Sequence, residues 1–124
     1  MQCLFCDVHM DKKRVIKEFT DCFVIEDAFP VSEGHILIIS KEHVSDWFSA
    51  SETLLANVIF ALSEMKNFLQ KKYNPQGYNI GVNCGESAGQ TIMHLHVHLI
   101  PRYVNDIDDP RGGVRGVIPV RQKY

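Results

Sequence analysis

The sequence predicts an α+β domain with a mostly antiparallel sheet. Short β-branched segments lie on both sides of one long amphipathic segment, and the last of them alternates strictly between apolar residues and histidines. At 124 residues the chain suits a single domain over 1–124, with a core over about 3–102 and a C-terminal arm over about 103–124.

Residues 14–19 and 22–26, separated by Thr20-Asp21, predict an antiparallel hairpin. Residues 35–40, rich in isoleucine and too short for a core helix, predict a buried strand. Residues 41–48 suit at most a short helical turn. Ser49 and Glu52 stand at capping-box spacing, and Leu54, Leu55, Val58, Ile59, Leu62, Met65 and Leu69 recur at helical intervals until Asn74-Pro75-Gln76-Gly77 stops the pattern. That stripe reads as core packing. Residues 78–82 predict a strand, 83–90 a glycine-containing loop, and 93–100 a strand ended by Pro101.

A net charge of −2 gives no global attraction to nucleic acid or anionic membrane, so a bound phosphate must be held by local groups. No apolar run approaches the roughly 20 residues that span a bilayer. The first residues lack a basic region followed by an apolar core, which predicts a cytoplasmic protein.

On a strand, alternate side chains share a face, so His94, His96 and His98 line one side while Met93, Leu95, Val97 and Leu99 take the other. Successive rings then lie about 6.5–7 Å apart, a spacing that lines a groove better than it grips one small ion. Three costly polar rings on one face point to function rather than packing.

The run His94-Leu95-His96-Val97-His98-Leu99-Ile100 resembles the signature of the histidine-triad superfamily. Asn83, Gly89-Gln90-Thr91 and Pro101-Arg102 resemble its fragile-histidine-triad and bacterial diadenosine-polyphosphate hydrolase branches. The resemblance implies a HIT-like fold of about five strands with one long and one short helix, dimerising into a continuous larger sheet. It also implies a nucleotide hydrolase acting at the α-phosphate of a dinucleoside polyphosphate or nucleoside phosphoramidate, on a purine substrate with adenine favoured. His96 would attack phosphorus as a neutral imidazole, its other nitrogen bonded to the carbonyl of His94. His98, Gln90, Thr91 and the backbone amides of the Gly85 to Gly89 loop would surround the phosphate oxygens, where charge gathers. Asp27 would accept the ribose hydroxyls, and Asn83 would contact the sugar–phosphate or leaving group. Phe5 and Ile25 are candidates for the base wall, and His35 for support of the triad.

Of the four cysteines, only Cys3 and Cys6 have ligand-like spacing, half a zinc site. A redox role would want the pair at the start of a helix in a βαβ setting, and the sequence places it before a hairpin. In the zinc-containing branches the partners correspond to His43 and His94, which implies a structural zinc on Cys3, Cys6, His43 and His94. The other classes are a nucleotidyl transferase and a non-catalytic nucleotide-binding or interaction module. In the transferase relatives the triad ends in glutamine, so His98 favours hydrolysis.

Overall fold

The computed structural model describes residues 2–124. Its elements are α1 (Leu4–Asp11), β1 (Val15–Glu18), β2 (Cys22–Glu26), β3 (Ile36–Ser40), α2 (Glu52–Tyr73), β4 (Gly77–Gly81) and β5 (His96–Arg102). The strands form one five-stranded sheet in the order β1-β2-β3-β5-β4, and every neighbouring pair is antiparallel.

The sheet separates two apolar layers. On one face, alternate residues of β2, β3 and β5, among them Val24, Ile38 and Val97, pack on the α2 stripe of Leu54, Val58, Ala61, Met65 and Leu69. On the other, Phe23, Ile25, Leu37 and Ile39 pack beneath Phe5 and Val8 of α1. The central strands β2 and β3 are buried on both faces, which explains their nearly continuous apolar sequence.

Several boundaries differ from the sequence reading, each for a local reason. The Cys3–Cys6 pair does open a helix, since the Cys3 thiol caps α1 by accepting the Cys6 N–H, but that helix precedes the antiparallel β1–β2 hairpin and is not part of a βαβ unit. The cap of α2 is Ser51, whose hydroxyl accepts the Leu54 N–H, while Ser49 belongs to a one-turn 3-10 segment over Trp47–Ser49. β5 begins at His96 and runs through Pro101 to Arg102. Pro101 pairs with Tyr78 of the edge strand β4. His94 precedes the strand and is fully buried. His9 lies on α1, stacked on Phe23.

No helix of the described residues is long and apolar enough to cross a membrane. The C-terminal arm is two 3-10 segments, Gly113–Val117 and Pro119–Arg121, closed on themselves by Arg115, which donates to the carbonyls of Arg121 and Gln122.

Candidate active site and metal centre

Register decides which histidines face outward together. His96 pairs with Ile39 and His98 with Leu37, so both rings rise on the α1 face, beside the loops that follow β2 and β4. There they border a cavity of about 280 Å³ that also brings together Asp27, Asn83, Gly89 and Thr91, with Phe5, Arg14 and Phe29 around them. Gln90 is absent from this lining. It is buried, its Oε1 accepts the Gly85 N–H, and its Nε2 donates to the carbonyls of Ser45 and Ile92. The amides of Gly85, Ala88, Gly89 and Gln90 are likewise paired within the loop or with Gln90. The polar side chains that line the cavity beside His96 are those of Asp27, Asn83, Thr91 and His98.

A backbone bond fixes the His96 ring. Its Nδ1 lies 2.7 Å from the carbonyl oxygen of His94, an acceptor only, so Nδ1 carries the proton and Nε2 keeps its lone pair. Phe5 meets the ring edge-on at 4.9 Å between centroids and limits its rotation.

His98 is set by a chain of donors. The Val31 N–H donates to Nδ1 of His35 at 3.1 Å, which leaves the His35 proton on Nε2. That nitrogen stands 2.9 Å from Nδ1 of His98 and 3.3 Å from Oδ2 of Asp27. His98 accepts on Nδ1 and so holds its own proton on Nε2. Both rings are kept neutral: burial pushes the His35 and His98 pKa values down, and for His98 the neighbouring His35 and His96 add to the effect. Asp27, His35 and His98 also have ligand-type atoms within 4.8 Å of one another. The proton on His35 Nε2 makes them a hydrogen-bonded relay rather than a metal cage. The other Asp27 oxygen accepts the Phe29 N–H at 2.8 Å and retains a lone pair for a further donor.

Cys3, Cys6, His43 and His94 converge beside this groove, with one ligand atom from each within 4.8 Å of the others. His94 Nε2 lies 2.7 Å from the carbonyl of Ser40, which fixes its proton there and turns the unprotonated Nδ1 toward the thiols. Nδ1 stands 3.2 Å from Sγ of Cys3, 3.5 Å from Sγ of Cys6 and 3.1 Å from Nδ1 of His43. Two soft thiolates and two imidazoles at this spacing fit a tetrahedral zinc with bonds of about 2.0–2.3 Å. Without a cation, burial and the adjoining Cys3 thiol push the Cys6 thiol up to about 11.

Sequence reasoning missed Arg14 and Phe29 in the groove. The hairpin register pairs Val15 with Ile25 and thereby sets Arg14 beside Glu26 and Asp27, but that bulged register was not legible in advance. Ile25 is fully buried beneath the groove, whereas Phe5 lines it.

The HIT domain family model matches residues 9–105. An uncharacterized 16.1 kDa HIT-like protein of Mycoplasma pneumoniae is 37% identical over 82% of this chain and 72% of its own length. The adenylylsulfatase HINT3 of Arabidopsis thaliana is 33% identical over 84% of this chain and 54% of its own length. A crystal structure of a Zn-bound histidine triad family protein from Mycobacterium smegmatis superposes with a TM-score of 0.78 at 28% identity, covering 86% of this chain and 78% of that one. With a family match across β1 to β5, and with His96 and His98 rising from one strand into one groove, the chain belongs to the HIT domain family.

Proposed function

We propose that the protein hydrolyses nucleotides at the α-phosphate, on dinucleoside polyphosphates or nucleoside phosphoramidates, through a nucleotidyl-His96 intermediate. The observation that carries this is the bond from His96 Nδ1 to the His94 carbonyl, which presents an unprotonated Nε2 at the groove. The Nε2 lone pair forms a bond to phosphorus while the bond to the leaving group breaks, and that group departs with the electron pair. Water then adds to phosphorus, the P–N bond returns its electrons to Nε2, and the water's proton passes to solvent. His98 Nε2–H, Thr91 and Asn83 donate to phosphoryl oxygens as charge gathers there, and Asp27 accepts from the ribose. Gly89, in the left-handed region at φ 94°, turns the loop beside the phosphate position, and Gln90 braces that loop from behind. The description of one relative as an adenylylsulfatase supports the substrate class.

Cys3, Cys6, His43 and His94 would hold a structural zinc, tying α1 to the loops around β5. Reduced thiols of this kind suit a cytoplasmic protein. A homodimer would cover the edge strand β4 and α2, where Ile59 and Ile80 are exposed beside a hollow lined by Leu62, Lys66 and Tyr78.

Product analysis across dinucleoside polyphosphates and amine phosphoramidates tests the activity. A nucleoside monophosphate released by the wild type and lost at least about a thousandfold in His96→Ala is expected. Full turnover by His96→Ala on every active substrate would overturn the reading.

A further inference from the structure

The sheet measures out the groove. From the histidines on β5 to the start of β1 there are three strand spacings, β5 to β3 to β2 to β1, of about 4.8 Å each or about 14 Å in all. Asp27 stands between the two ends. If the phosphate lies at His96 and the ribose at Asp27, the base falls at the far end, where Phe29 and Arg14 form the lining. Phe29 is 86% exposed, an aromatic face at the rim whose backbone N–H donates a hydrogen bond to the Asp27 carboxylate.

Arg14 supplies the lone guanidinium or ammonium group in this lining. Among the described residues it makes a single hydrogen bond, from Nη2 to the carbonyl of Glu26 at 3.2 Å, and no carboxylate pairs with it. That bond orients the fork and leaves its other N–H groups uncommitted. A guanidinium donates only. Guanine presents two acceptors, O6 and N7, on one edge, whereas adenine replaces one of them with an amino donor.

We propose that Arg14 is a specificity-determining residue at the base end of the groove, its guanidinium reading the O6/N7 edge of guanine and so favouring guanine over adenine nucleotides. The inference rests on the nucleotide reading of the groove, not on the hydrolytic step.

Calorimetric titration of the full chain with GMP and with AMP tests it without catalysis. The wild type is expected to bind GMP about fivefold or more tightly than AMP, the low end of a bidentate base contact because the residue is exposed. In Arg14→Ala that ratio should collapse toward one, and Arg14→Lys, which keeps the charge but not the fork, should not restore it. Circular dichroism of both variants checks the fold, which an exposed side chain leaves intact. Equal binding of the two nucleotides by the wild type would overturn the proposal. So would a preference that survives in Arg14→Ala, or one that Lys restores in full. Binding of neither nucleotide by the wild type would sink the nucleotide reading itself, along with this inference.

Discussion

A histidine attacks phosphorus only with an unprotonated nitrogen, and neutral rings in this groove are maintained by their surroundings. Burial first, and then His35 and His96, lower the pKa of His98; burial lowers that of His35. Proton uptake by His98, which would break its bond from His35, is therefore expected only below the ordinary histidine value of about 6.5, and a His98 ring resonance that titrates above it would contradict the assignment. The same shifts give the sign for stability. As pH falls below about 6.5 the unfolded chain takes up protons on these two rings before the native protein does, so denaturant stability should decline with pH there. Above that pH the two rings contribute no slope. The three histidines were legible as a set in the sequence because strand alternation has a fixed period. Their unequal roles were legible only through the family resemblance: His94 is turned by the Ser40 carbonyl toward Cys3, Cys6 and His43, and the relay through Asp27 and His35 joins residues far apart in the chain.

At the level of elements, α2 announced itself because five buried positions recur at spacings of four and three. The eight residues of α1 did not, since Cys6, Asp7, Val8 and His9 are ordinary or poor helix formers and only Phe5 and Val8 are buried. Its order comes from tertiary contacts: the Cys3 cap, packing on Phe23 and Ile25, and the cluster with His43 and His94. A bound zinc would therefore act mainly on this helix. Chelation, or Cys6→Ser, is expected to lower the thermal midpoint and to speed amide exchange in residues 4–11 while leaving α2 protected. Stoichiometric metal should be found in protein purified without added zinc. A metal-free protein whose stability ignores chelator would rule the centre out. Gln90 shows a different limit of sequence reading, for a polar residue beside a glycine suits a phosphate ligand and a loop brace equally well, and only its three bonds mark it as a brace.

For the whole molecule, sheet order sets both the groove and its free edges. β5 lies between the buried strand β3 and β4, so the His96 and His98 rings sit inside the sheet and not at its rim, while β4 remains an edge with Ile80 half exposed. If a second copy covers that edge, Ile80→Glu should convert a dimer to a monomer by sedimentation; a wild type that is already monomeric at micromolar concentration would refute the pairing. The arm beyond Tyr103 follows no periodic pattern, and its fold depends on Gly112, at φ 88° against the Gln122 carbonyl, a contact no sequence period encodes. The central claim, covalent transfer to His96, is tested most directly by intact-mass measurement at neutral pH within the first turnover on a nucleoside phosphoramidate. A mass increase of one nucleotidyl group, mapping to His96 and absent from His96→Ala, is the expected result. Rapid turnover with no such adduct, or an adduct that persists in His96→Ala, would contradict it.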